Sequence, residues 1–216
     1  MKQPKEINIL VACEESQTIA LAFRKLGFNA YSCDLEPCSG GHEEIHIQGD
    51  CFKAINSRKW DLIIAHPPCT HLAASGARWF NNPATPEKPR LQKEAIEFFL
   101  AFTKLDCEHV AIENPIGIMS RIYRKPDQIV QPYFFGDSAR KSTCLWLKGL
   151  PLLVPDMIMD EGESFYWGEE GKRQPKWYRE AWNLPPKERA KVRSKTFPGM
   201  ARAIAEQWGK YLIDNL

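Results

Sequence analysis

The sequence has no apolar run approaching the roughly 20 residues that a membrane-spanning helix needs, so it offers no such span. Its N-terminus, Met1 to Glu6, leads into a short apolar strand and lacks the pattern of a signal peptide. It has no Cys-x-x-Cys pair. Its seven cysteines are an odd, uneven set, which argues against a secreted disulfide framework and for a reducing cytoplasm. It lacks a charge excess: 29 Lys and Arg against 27 Asp and Glu neither require nor forbid nucleic acid. Repeats and low-complexity tracts are absent. The first strand–helix turn, Cys13-Glu14-Glu15-Ser16-Gln17, has no glycine and so lacks the phosphate-cradling fingerprint.

What is present suits one compact domain: 216 residues, 44% of them hydrophobic. Residues 7–12 form a strand-length apolar run. Helical spacing through Ile19, Ala20, Ala22, Phe23 and Leu26 predicts a helix over 16–26, and a second strand over 28–34 ends on Asp34. Residues 37–49 read as loop and 51–58 as a short helix. Trp60 to Ala65 is a strand running into His66-Pro67-Pro68-Cys69. After a loop at 80–90 and an amphipathic helix at 91–105, a strand from His109 to Ile112 runs into Glu113-Asn114-Pro115. A strand at 143–147, an irregular stretch at 156–185 and helices at 186–193 and 199–213 complete the chain. This alternation predicts an α/β fold, a mostly parallel sheet with helices on both faces. Ligands of such sheets bind beyond the carboxyl ends of the strands, where Asp34, Cys69 and Glu113 would converge.

Each of these three residues has two readings. Cys69, fixed by two prolines, is a rigidly aimed nucleophile or a small core thiol. Glu113 is a catalytic acid or a cap for the next segment. Asp34 sits where a nucleotide-binding sheet puts its ribose-binding acid, or it caps a helix, and the same pair of readings applies to Asp50. Acidic residues crowd 156–170, while 172–195 carries nine Lys and Arg together with Trp177, Tyr178 and Trp182. That tract is a phosphate-and-base surface or a solvated helix face. Cys33, Cys38, His42, His46 and Cys51 fit no standard zinc spacing, and no metal is expected.

In order and spacing, these motifs resemble the DNA cytosine-5 methyltransferase family, its short phage- and prophage-type members above all. Asp61-Leu-Ile-Ile-Ala-His-Pro-Pro-Cys-Thr70 looks like the strand leading into that family's Pro-Cys motif, with Ser75-Gly76 following as it often does there. Ala111-Ile-Glu113-Asn114 is similar to the Glu-Asn motif. Residues 8–27 and Cys33 to Pro37 look like the cofactor-binding strand, helix and ribose-binding strand end, and residues 196–205 like the closing helix. There are departures: the glycine-poor first turn, Thr70 in place of Gln, Pro115 in place of Val, and Arg140-Lys141-Ser142-Thr143 where the family has Arg-x-Arg.

The resemblance implies a Rossmann-like, S-adenosyl-L-methionine-dependent methyltransferase. The catalytic domain would span 1–150, a small target-recognition-like segment 151–195, and a C-terminal helix packing back onto it 196–216. The implied substrate is double-stranded DNA, with no indicated protein partner. Cys69 would attack carbon 6 of a flipped cytosine, Glu113 would act at N3, and Arg140 or Lys141 would hold O2. The cofactor would meet Ala12, Cys13, Glu14, Glu15, Ser16, Asp34, Leu35, Asp50, Cys51 and Pro67. His71, Ser75, Arg78 and Asn114 would meet DNA. Two other readings share these residues: a methyltransferase acting on free cytosine nucleotides or RNA, and a catalytically idle DNA-binding homologue.

Overall fold

The computed structural model describes residues 2–74, 85–167 and 171–216. Its centre is a seven-stranded sheet. The strands are β1 (Asn8–Ala12), β2 (Asn29–Asp34), β3 (His46–Gln48), β4 (Leu62–Ala65), β5 (Val110–Pro115), β6 (Gln128–Val130) and β7 (Thr143–Lys148). They lie in the order β3-β2-β1-β4-β5-β7-β6. β1 to β5 pair in parallel, and β7 runs antiparallel to both of its neighbours.

Helices cover both faces, as the buried strands require. Ile9 and Val11 of β1 face one core, with Ile19 and Phe23 of α1 (Thr18–Lys25) and Ile204, Trp208 and Leu212 of α7 (Pro198–Asn215). Leu10 and Ala12 face the other, with Ala54 and Ile55 of α2 (Cys51–Asn56) and Phe99 and Phe102 of α3 (Lys88–Phe102). Strand side chains alternate between faces, and here both faces are dry, so the strands read as unbroken apolar runs. Pro89, in the first turn of α3, starts that helix three residues before the periodic stretch at Leu91. A short α4 (Met119–Ile122) follows β5.

Four features differ from the sequence expectation. β3 lies inside the stretch read as loop; it is a three-residue edge strand held by its pairing with β2 and by a hydrogen bond between His46 Nδ1 and Ser32 Oγ. β6, also three residues long, pairs with β7. β5 runs on through Glu113 and Asn114 to Pro115, which β7 pairs from Thr143; a proline is tolerated at a strand's end. Finally, 156–185 is not wholly irregular. It holds a hairpin of β8 (Ser164–Trp167) and β9 (Lys172–Pro175), then α5 (Lys176–Glu180), with α6 (Pro186–Ser194) beyond. Among the described residues, no helix is long and apolar enough to cross a membrane.

Candidate active site

The carboxyl ends of β1, β2, β4 and β5 open on one edge of the sheet. Because β7 is antiparallel, its first residues reach that same edge beside the end of β5, where Thr143 pairs with Pro115. The chain just before β7 therefore arrives next to Glu113. Gln131 fixes it there, accepting from Lys141 N–H at 3.0 Å and donating to Ser142 Oγ at 2.8 Å.

Cys69 begins a tight turn, in which Leu72 and Ala73 N–H donate to its carbonyl at 3.0 and 2.9 Å. This turn is pinned to the segment after β5. Ala74 N–H donates to Ile116 O, Ile118 N–H donates to Leu72 O, and Ala73 bridges Gly117. A Cβ at position 117 would lie 2.1 Å from Leu72 O, so only glycine permits the approach. Asn114 adds a second tie, its buried Nδ2 donating to Pro67 O at 2.7 Å. Cys69 and Glu113, 44 positions apart in sequence, are thus held as one unit.

His66 and Glu113 form the buried heart of this unit. His66 Nδ1 lies 2.9 Å from Glu113 Oε2, an ion contact off the line of a hydrogen bond; the other ring nitrogen, Nε2, is buried with no partner among the described residues. Burial pushes the Glu113 carboxyl up, but the His66 imidazolium outweighs this and holds it below the usual carboxylate range. Burial likewise pulls His66 down, and Glu113, aided by Glu14, holds it above its ordinary value. His66 was not among the residues singled out in the sequence. The signal was there: it stands at the strand end directly before Pro67-Pro68-Cys69.

Burial drives the Cys69 thiol up, only partly offset by Lys141 and Arg193. Burial also lowers the Lys141 ammonium, while Glu113 and Cys69 pull it back. Lys141 Nζ donates to Ser194 O at 3.2 Å and to Lys195 O at 3.0 Å. Arg140 points elsewhere, 3.8 Å from Glu161. Of the two basic residues left open by the sequence, Lys141 is the one whose charge bears on Cys69 and Glu113.

The β1–β2 end of the edge is built differently. Cys13 and Gln17 both have φ near +60°, a conformation unusual outside glycine, so the turn keeps a sharp shape without glycine at the cost of local strain. Gln17 is fully buried and ties the 37–45 region by exchanging hydrogen bonds with His42 N–H and O. The Cys51 thiol and burial raise the Cys13 thiol, and Cys13 in turn lowers that of Cys51. Ser16 Oγ pairs with Thr18 Oγ1 at 3.0 Å, and Ala12 is sealed in the core. Asp34 takes Glu36 N–H at 3.0 Å in a local turn rather than capping a helix. Asp50 does cap one, accepting Phe52 N–H at 2.7 Å through a single carboxylate oxygen. Pro67 is buried, and His71 Nδ1 is buried without a partner among the described residues, in the turn that Cys69 begins. Ser75 and Arg78 lie outside the described residues.

Glu14 turns inward. Its carboxylate accepts Ile19 N–H at 2.6 Å and Ala20 N–H at 3.2 Å, satisfying the first turn of α1. Burial nonetheless pushes the carboxyl up to about 7 from an ordinary 4.5. Between those pH values the unfolded chain releases a proton that the folded chain keeps, so stability falls as pH rises. At about 1.4 kcal/mol per pH unit the full effect is on the order of 3 kcal/mol. His66, held above its ordinary 6.5, adds a loss of the same sign as pH rises past that value. Glu14→Gln is expected to flatten the wild-type fall in thermal midpoint between pH 5 and 7.5 by several degrees, as measured by calorimetry.

No protein-family model matches the sequence, and neither does any curated protein. Among solved structures, the fold is similar to the Entamoeba histolytica methyltransferase EhMeth, with a TM-score of 0.53 and 12% identity over 100% of this chain and 99% of that one. The chain has the Rossmann-like S-adenosylmethionine-dependent methyltransferase fold. Weaker likenesses are to a candidate DNA modification methyltransferase encoded within a prophage (E. coli; TM-score 0.47, 17% identity, 71% of this chain) and to S. pombe Dnmt2 methyltransferase (0.42, 14%, 74%). The chain spans 52% and 57% of the lengths of those two proteins.

The turn-and-strand edge suits the cofactor of this fold. S-adenosylmethionine has no phosphate, so a glycine-free turn is no obstacle. Glu15 Oε2 is a buried carboxylate oxygen with no partner among the described residues, Asp34 stands at the β2 end, and Leu35 beside it is 75% exposed.

Proposed function

We propose that this chain is a DNA (cytosine-5)-methyltransferase that uses S-adenosylmethionine and Cys69 as covalent nucleophile. The observation that carries this reading is the joining of Cys69, Glu113, His66 and Lys141 at the carboxyl edge of a methyltransferase-type sheet. Carbon 5 of cytosine is a weak nucleophile. A bond from Cys69 Sγ to carbon 6, with protonation at N3, makes carbon 5 electron-rich. The His66–Glu113 pair carries one proton between them; Glu113 passes it to N3, leaving neutral His66 beside the carboxylate. Lys141 stabilises the forming thiolate and the charge at O2. S-adenosylmethionine, when bound, would supply the electrophilic methyl group that carbon 5 takes. The thiol proton goes to solvent water as the Sγ–carbon 6 bond forms; after methyl transfer the carbon-5 proton is lost to water, N3 returns its proton to the His66–Glu113 pair, and Cys69 leaves as thiolate. The base must be flipped out of the duplex for any of this to occur.

Asp34 and Glu15 would hold the cofactor, and Leu35 would pack on its ring. Asp50 has one carboxylate oxygen left for it after capping α2. Residues 1–150 and 196–216 would form the catalytic body and 151–195 the DNA-facing segment. Two measurements test the reading. Incubation with labelled S-adenosylmethionine and duplex DNA, followed by digestion to nucleosides, should yield 5-methyldeoxycytidine; a label found only in free nucleotide or in RNA would overturn the DNA assignment. Asp34→Ala should weaken S-adenosylmethionine binding at least about tenfold by calorimetry, as loss of a charge-assisted hydrogen bond does. Unchanged affinity would reject the role given to Asp34.

A further inference from the structure

The 151–195 segment contains a cavity that the chemistry above does not use. It measures about 530 Å³ and is lined by Phe165, Gln174, Arg179, Glu180, Trp182 and Asn183. That volume is in the range of small organic ligands.

Its walls are of unusual construction. The Arg179 guanidinium lies over the Phe165 ring at 4.5 Å, forming a flat, layered shelf. Trp182 is backed by Arg189 at 4.8 Å and by Arg193 at 5.7 Å. Both aromatic rings remain open, 40% exposed for Phe165 and 47% for Trp182. Gln174 and Asn183 bring amide groups, each both donor and acceptor, and Glu180 brings a further acceptor. Exposed Lys187, Lys191 and Lys195 stand along α6 and the residue after it.

Flat cation-backed platforms and edge-reading amides, beside a lysine-bearing helix, match one class of ligand, an unpaired nucleobase on an anionic strand. Arg193 ties the cavity to the reaction edge through the end of α6, where Lys141 Nζ donates to the carbonyls of the next two residues, Ser194 and Lys195. It stacks on the Tyr178 ring at 4.3 Å and reaches Trp182, and its charge also bears on Cys69 and Lys141.

We propose that this cavity receives an unpaired base of the substrate DNA strand, next to the cytosine presented to Cys69. The proposal rests on the DNA reading of the active site. It gives the short 151–195 segment a means of gripping DNA without a large recognition domain: an opened neighbour is held in the cavity while the target base is flipped.

The test is fluorescence anisotropy at fixed salt with three labelled duplexes: one with a single unpaired thymine beside the cytosine, one with an abasic site there, and one fully paired. Wild type is expected to favour the unpaired base over the abasic site by about tenfold. Trp182→Ala and Arg179→Ala should lose that preference while keeping wild-type S-adenosylmethionine affinity by calorimetry, and Asn183→Ala should lose part of it. Equal affinity of wild type for the unpaired and abasic duplexes overturns the proposal, as does a preference that persists in Trp182→Ala. A preference confined to an RNA hairpin of the same sequence overturns the DNA assignment. Cys69→Ser should retain the preference. A wild-type protein that shows the preference but methylates no DNA would overturn the cytosine reading and leave the cavity supported.

Discussion

Cys69→Ser is expected to abolish methyl transfer to DNA, with a fall of at least about a thousandfold in the single-turnover rate. S-adenosylmethionine affinity should stay within twofold of wild type. The reason is electronic rather than steric. A serine hydroxyl fits the turn and makes the same backbone bonds, but it is a far weaker nucleophile toward carbon 6 and is not ionised by Lys141 and Arg193. In the free protein, burial already pushes the Cys69 thiol up, so the thiolate needed for attack becomes more available as pH rises. A Cys69→Ser protein with more than about a tenth of wild-type activity would show that carbon 5 is not reached through a thiol adduct.

The second large effect is expected at Glu113. Glu113→Gln cannot pass a proton to N3 and should lower the rate by about 10²–10⁴-fold. His66→Gln tests the origin of that proton. With His66 absent, the proton must reside on Glu113 itself, beside Lys141, which favours the carboxylate. The rate should fall about ten- to a hundredfold, and the basic limb of the rate–pH profile should move to lower pH. In wild type, His66 is raised by Glu113, so the pair keeps its proton further toward alkaline pH. Thiol ionisation and N3 protonation respond oppositely to pH, so the wild-type profile should be bell-shaped. A His66→Gln variant with lowered rate and an unmoved limb would assign His66 a purely structural part.

Much of this was legible in the sequence, and the limits have physical causes. The strands β1, β4 and β5 were readable because both faces of the sheet are buried, which leaves unbroken runs such as Leu62 to Ala65. Cys69 and Glu113 were readable because proline marks the strand ends. β3 and β6 were not, since three-residue edge strands owe their form to a partner and not to their own periodicity. The β8–β9 hairpin was hidden because its alternation is short and its stabilising contacts, Arg173 with Glu161 and Lys176 with Glu163, span the charge switch that made the segment look irregular. Telling Arg140 from Lys141 needed the tertiary arrangement, in which the Lys141 charge bears on Glu113 while Arg140 lies 3.8 Å from Glu161. His66 was passed over because a histidine before two prolines shows its role only when Glu113 is seen 2.9 Å away.

The central claim is the covalent bond from Cys69 to a DNA cytosine, and trapping tests it most directly. The protein is incubated with S-adenosylmethionine and a duplex in which 5-fluorocytosine replaces cytosine, then analysed by intact mass. The fluorine cannot leave as a proton does, so the adduct should persist as a protein–DNA species carrying one methyl group. Peptide mapping should put it on Cys69, and Cys69→Ser should give none. Methylation of ordinary duplex DNA with no trapped species, or an adduct mapped to another cysteine, would contradict the assignment.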